Sequence, residues 1–259
     1  MAEFKFLKYE KRDHIAWITI NRPEVLNALH PPANFEGEQI WNDFAADKDA
    51  WVAILTGAGA RAFSAGNDLK YTAEHGMGPF PKGGFCGITS RYDIDKPIIA
   101  AVNGFAMGGG FELALSCDII IAADHARLGL PEPRVGLAAG AGGVHRLPRQ
   151  VPLKIAMGMM LTAKPIPAAE AHRWGVVNEV VAGKDLLATT EKWAREIMEC
   201  SPLALRATKS MAMEGLGRPI EEAHGGRRYE IMERLMKSKD AVEGPLAFAQ
   251  KRKPNWTGE

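Results

Sequence analysis

The chain has 259 residues, 46% of them hydrophobic and 24% charged, enough apolar material for one large domain or a core with an appendage and too much for a disordered chain. Its 32 lysines and arginines almost balance 31 aspartates and glutamates, for a formal net charge of +1. No whole-molecule field therefore draws it to nucleic acid or to an anionic membrane.

Cys86, Cys117 and Cys200 are far apart, odd in number and without metal-ligand spacing, which points to free thiols in a reducing compartment and to no metal site. Met1–Leu7 lacks the apolar run of a secretory signal, and no stretch reaches the length that spans a bilayer. The expectation is a cytoplasmic protein with no membrane partner.

His14–Ile20 is rich in β-branched and aromatic residues and stops at Asn21-Arg22-Pro23, so it reads as a strand. Pro31-Pro32 suits the first turn of a helix whose stripe is Phe35, Ile40, Trp41 and Phe44. Trp51–Thr56 returns as a buried strand. The rhythm repeats with Pro97–Val102, a short helix near Gly110–Ser116, and Asp118–Ala122, which makes the fold class α/β. Between the two units, the stretch from His75 to Gly87 is rich in glycine and proline and carries Phe80 and Phe85, a long loop expected to border a ligand. From Gly143 onward the pattern is mainly helical, with candidates at 143–161, 168–174, 186–199, 202–215 and 220–236. Asp240–Glu243 resembles a capping box, interrupted at once by Gly244-Pro245. Ser201-Pro202 is the best boundary, dividing a core at 1–200 from a helical region at 201–259.

Three short segments carry the chemistry. Ala62–Leu69 and Asn103–Glu112 are glycine-rich turns, and Gly129–Glu132 follows them. The run Gly108-Gly109-Gly110 lets backbone approach a ligand closely with a helix N-terminus behind it, where free N–H groups attract a developing oxyanion. Tight packing without a ligand explains a glycine triplet equally well. Glu112 alone fits a favourable charge in a first helical turn, and Glu132 alone fits a solvated turn residue. Ser64 lacks an identifiable histidine base and is no hydrolase nucleophile. His145, Arg146 and Arg149 fit a helix start or its exposed face, His172 and His224 show no partner by spacing, and Met157, Met159 and Met160 fit packing.

Taken together, two glycine turns and two glutamates in this order resemble the enoyl-CoA hydratase, or crotonase, family. The resemblance also includes Asn21-Arg22-Pro23, Leu26–Leu29, Pro131-Glu132, Gly140–Gly143 and the ending Ala247–Pro254. It implies a spiral of ββα units with a helical C-terminal region that builds homotrimers, commonly paired into hexamers. It also implies an oxyanion hole from the N–H groups of Asn67 and Gly109, with Glu112 and Glu132 as the catalytic pair. Glu112 would activate water, while Glu132, kept neutral by burial or by its neighbour's charge, would deliver a proton; the pair could share one proton. Ala65, Asp68, Leu69, Lys70 and Lys251 match substrate or CoA positions. The implied substrate is an acyl-CoA thioester, with CoA part of the substrate and no separate cofactor.

The implied reaction is hydration of an enoyl-CoA. Alternatives within the family are isomerisation, which needs one glutamate, and dehydration of a polar thioester such as carnitinyl-CoA. Leu137-Ala138-Ala139 and the Pro79–Phe85 insert depart from the common hydratase pattern and bear on acyl preference. RNA binding, known in one family branch, and a catalytically silent assembly role are different classes. Balanced charge argues against the first, and the two glutamates argue against the second.

Overall fold

A computed structural model describes residues 4–225 and 229–259. Two sheets are wound by one repeating unit. Strands β1 (Leu7–Arg12) and β2 (Ile15–Ile20) form an antiparallel pair, followed by helix α1 (Pro31–Ala46). Three units then follow: β3 (Val52–Gly57), β4 (Ala62–Ser64) and α2 (Leu69–His75); β5 (Ile98–Val102), β6 (Phe105–Met107) and α3 (Gly109–Ser116); and β7 (Ile119–Ala123), β8 (Arg127–Gly129) and a 3-10 turn at Glu132–Val135. The first strand of each unit joins one sheet and the second joins the other. With β10 (Glu179–Val181) the large sheet runs β1-β2-β3-β5-β7-β10, and with β9 (Ile166–Pro167) the small one runs β4-β6-β8-β9. Ala53 pairs with Ile98 and Ile99 with Ile119, while Ala62 pairs with Phe105 and Phe105 with Arg127. Each unit thus advances one strand in both sheets, which is the crotonase-type spiral.

β3 and β5 are buried throughout, and their unbroken apolar runs are what parallel strands covered on both faces require. Helix α7 (Leu186–Met198) lies across β3, β5 and β7. α1 buries Ile40, Trp41 and Phe44 completely, the stripe read from the sequence; Phe35 stays exposed. Two asparagines hold the strand-to-strand turns. The Asn103 amide donates to Gly57 and Gly59 carbonyls at 2.8 and 2.6 Å, and the Asn27 amide donates to the Ala62 carbonyl at 2.7 Å. Ser64 is a structural hydroxyl, donating to the Asn27 carbonyl at 2.9 Å and accepting the Gly66 N–H at 3.1 Å.

The second half corrects the sequence reading in three places. The helix expected over 143–161 is two, α4 (Gly143–Gln150) and α5 (Leu153–Thr162), because Val151, ahead of Pro152, takes the extended backbone at φ −132° and ψ 163° that a residue before proline favours. α6 (Ala168–Arg173) and α8 (Pro202–Gly215) stand where expected. The helix expected over 220–236 resolves into a π-turn at Glu221–Gly225 and α9 (Glu230–Met236), with 226–228 outside the described residues. Finally, α10 (Lys239–Ala249) runs straight through Gly244-Pro245. Its cap is Ser238, whose hydroxyl accepts the Ala241 N–H at 3.1 Å. Asp240 is buried and instead accepts from Ser201 at 2.7 Å and from the Thr257 N–H at 2.9 Å, which fastens the tail. α8 is tied to the two-sheet core by the ion pairs Arg206–Asp95 at 2.8 Å and Lys209–Asp118 at 2.7 Å. Among the described residues no helix is long and apolar enough to cross a membrane.

Candidate active site

In each unit the chain leaves its small-sheet strand and turns within two or three residues, placing Asn67 after β4, Gly109 after β6 and Glu132 after β8. Because β4, β6 and β8 are neighbours in one sheet, the three turns lie side by side. They line one cleft of about 720 Å³, together with Ala65, Leu69 and Glu112.

Leu29 and Asn67 form an isolated parallel bridge, in which the Leu29 N–H donates to Gly66 and the Asp68 N–H donates to Leu29, both at 2.8 Å. The parallel pattern engages the residues flanking Asn67, so its own N–H points away from Leu29. Gly109 opens α3, where the first N–H groups have no partner within the helix. Gly66, at φ +89°, brings the two turns together. A Cβ on it would stand 2.6 Å from the Met107 carbonyl oxygen and 2.9 Å from the Gly109 nitrogen, so only glycine allows this approach. Behind Gly109 lies the Phe85 ring, 2.7 Å from where a Cβ on Gly109 would be.

The two carboxyl groups line the same cleft. Glu112, on the first turn of α3, is 3% exposed, and its Oε1 accepts the Gly143 N–H at 2.7 Å. Burial pushes its pKa up to about 7; the Gly143 and Ala141 N–H groups and Arg146 pull down, while the charge of Glu132 adds to the rise. Glu132 is half-buried and burial raises its pKa too. Its Oε2 is buried without a hydrogen-bond partner among the described residues. Each carboxyl rests beside a glycine: a Cβ on Gly108 or on Gly143 would be 3.1 Å from Oε1 of Glu132 or Glu112, respectively.

Asn67, Gly109, Glu112, Glu132, Ala65 and Leu69 thus share one cavity. Asp68, Lys70 and Lys251 do not line it. Asp68 faces inward, capping α2 through the Tyr71 N–H at 3.1 Å and pairing with Arg22 at 2.9 Å. These contacts tie Asp68 to α2 and to Arg22 beside the turn that carries Asn67. Lys70 and Lys251 are exposed on α2 and the tail. The glycine- and proline-rich segment after α2 does border the cleft, through Met77, Phe80, Lys82 and Phe85. The partnership of Gly143 with Glu112 escaped the sequence reading, since no linear pattern marks which backbone N–H will face a side chain 31 positions away.

Residues 10–259 match the family model described as enoyl-CoA hydratase/isomerase. A carnitinyl-CoA dehydratase from Escherichia coli is 43% identical over 258 residues, covering 97% of this chain and 98% of the relative. Among solved structures, an enoyl-CoA hydratase from Mycobacterium marinum superimposes with a TM-score of 0.92 at 39% identity over 98% of this chain and 99% of that one. A carnitinyl-CoA hydratase from Mycobacterium avium is also 39% identical, with a TM-score of 0.78 over 99% of this chain and 100% of that one. Matched end to end in sequence and in spiral, this chain belongs to the enoyl-CoA hydratase/isomerase family.

Proposed function

We propose that the protein is a hydro-lyase that adds water across the 2,3 double bond of an enoyl-CoA thioester, with the Asn67 and Gly109 N–H groups as oxyanion donors and Glu112 and Glu132 as the acid–base pair. The observation that carries this reading is two carboxyl groups with raised pKa values lining the same cleft as two unsatisfied-by-geometry N–H groups.

The thioester carbonyl oxygen accepts from both N–H groups, which makes Cβ electrophilic. Ionised Glu112 takes a proton from water as the water oxygen bonds to Cβ, and the π pair moves onto the thioester as an enolate. Protonated Glu132 then gives its proton to Cα as the enolate collapses. One proton leaves water for Glu112 and one leaves Glu132 for the product, so exchange between the two carboxyls restores the starting state. At neutral pH one shared proton is what two neighbouring, partly desolvated carboxyls favour. CoA belongs to the substrate, and these steps call for no further cofactor. The donors would be most effective at the enolate stage, where a single such N–H is typically worth about 10²–10³ in rate.

The 43% identity to a carnitinyl-CoA dehydratase favours a second reading in the same chemistry, run in reverse on a polar acyl group. Glu132 would then remove the Cα proton and Glu112 would protonate the departing hydroxyl. A panel of enoyl-CoA thioesters followed by loss of conjugated absorbance, with carnitinyl-CoA and 3-hydroxyacyl-CoA run in the opposite sense, separates the two. Turnover of simple enoyl thioesters supports hydration, selective turnover of carnitinyl-CoA supports dehydration, and inactivity on the whole panel sinks both.

A further inference from the structure

Arg146 fits an exposed helix face from its sequence, yet the structure half-buries it and uses both ends of its guanidinium. One end donates to the Thr89 carbonyl at 2.7 Å, and the other to the Ala141 carbonyl at 3.3 Å. Thr89 belongs to the segment that forms one wall of the cleft. Ala141 belongs to the turn that leads, through Gly142 at φ +108°, into α4 and its first residue, Gly143. Gly143 is the donor to Glu112. A single side chain therefore joins the cleft wall to the turn that presents an N–H to a buried carboxyl.

The wall itself is a fixed anchor. Asn34, Glu38 and Asn42, one helical turn apart on a single face of α1, accept in order from the Cys86 N–H at 2.8 Å, the Gly83 N–H at 2.8 Å and the Arg91 side chain at 2.7 Å. Gly37 allows the wall to touch this helix, since a Cβ there would run into the Cys86 backbone. Arg146 thus reaches from α4 to a segment already held at three points.

We infer that Arg146 is a positioning residue for Glu112: by bridging the Thr89 and Ala141 carbonyls it holds the 139–143 turn so that the Gly143 N–H stays on Glu112 Oε1. This rests on the acid–base reading given above for Glu112. The planar guanidinium donates from two separate nitrogens held in a fixed fork; a lysine keeps the charge and several donors but not that span. Charged groups around Glu112 are Glu132 in the same cleft and Arg146 on α4, with Lys82 and Arg134 also in the lining. Losing Arg146 removes a nearby cation and loosens an N–H donor, and both changes favour the protonated carboxyl.

The test compares Arg146→Lys and Arg146→Gln with the parent protein, each also in a Glu112→Gln background. Glu112 is titrated by carboxyl carbon NMR without substrate, and hydration of crotonyl-CoA is followed against pH. Arg146→Gln is expected to raise the Glu112 titration midpoint and to lower kcat by about tenfold or more, since small misplacements of a reacting group cost up to about 10²-fold. Arg146→Lys should show the loss in kcat with a smaller change in midpoint, which keeps the proposal testable if the glutamine variant folds poorly. In the Glu112→Gln background neither change should lower the residual rate further. An unchanged Glu112 midpoint in both variants, or an undiminished loss in the Glu112→Gln background, overturns the inference. If the midpoint moves but Glu112→Gln hydrates normally, the positioning role stands and the assignment of Glu112 as base fails.

Discussion

The cleft combines two kinds of group, backbone donors and carboxyls. Asn67 and Gly109 offer backbone N–H groups, and what matters there is the path of the chain: a bridge to Leu29, a helix start, and a glycine at 66 with no Cβ to keep the turns apart. Glu112 and Glu132 offer side chains, and what matters is burial, which raises both pKa values. The first group depends on the path of the backbone and admits no added bulk between the turns or behind Gly109, where the Phe85 ring stands. The second depends on the ionisable group itself, so that keeping its shape is not enough.

The sharpest test of that contrast is Glu112→Gln or Glu132→Gln. Each keeps the shape and is expected to lower hydration by about 10²–10⁴, measured by steady-state turnover of a short enoyl-CoA; near-normal rates would remove that residue from the mechanism. Gly66→Ala attacks the backbone donors. It places a methyl between the turns at a left-handed φ, and the expected result is a loss of about 10²–10³ in kcat with destabilisation of about 1–3 kcal/mol, read by kinetics and chemical denaturation together.

Stability should separate the two kinds as well. Glu112 has a folded pKa of about 7 against an ordinary 4.5, so the folded protein holds its proton more tightly than the unfolded chain. That contribution is complete below pH 4.5 and is lost as pH rises through 7. Glu112→Gln, which keeps an acceptor for Gly143, should therefore stabilise the fold by up to about 3 kcal/mol at pH 8 to 9 and by little near pH 4.5. Urea unfolding at the two pH values checks this, and an equal effect at both would show that Glu112 carries no such burden.

The same carboxyl should shape the rate. If Glu112 must be ionised to accept a proton from water, kcat/KM falls by about tenfold per pH unit below 7 in the parent enzyme, and a flat profile from pH 5 to 8 would contradict its role as base. The smallest effect belongs to Asn67→Ala. It removes the amide that donates to Thr72 at 2.8 Å but leaves the backbone N–H in place, so turnover should change by no more than about threefold. A loss of a hundredfold would move the function of Asn67 from its backbone to its side chain.

Much of this site was visible in linear form. The spacing of apolar strands is a local property of the chain and identified the α/β class, while the glycine-rich turns and the two glutamates carried the family resemblance that pointed to six of the cleft-lining residues. Short strands were missed: β4, β6 and β8 have three residues each, too few for an alternating pattern. Asp68 gave no linear sign of its ion pair, because Arg22 lies 46 positions earlier. Arg146 gave no signal of its partners for the same reason, with Thr89 lying 57 positions away.

Linear order was thus enough to mark the glycine-rich turns, the long buried strands and the groups able to ionise or donate, since these follow from side-chain chemistry and from the freedom of glycine. Folding alone brings the turns of three successive units together along one sheet, sets the Gly143 N–H on Glu112, and raises the proton affinity of the two carboxyls by burial. Those are properties of neighbours in space, and desolvation and hydrogen bonding act on distance in ångströms, whatever the separation along the chain.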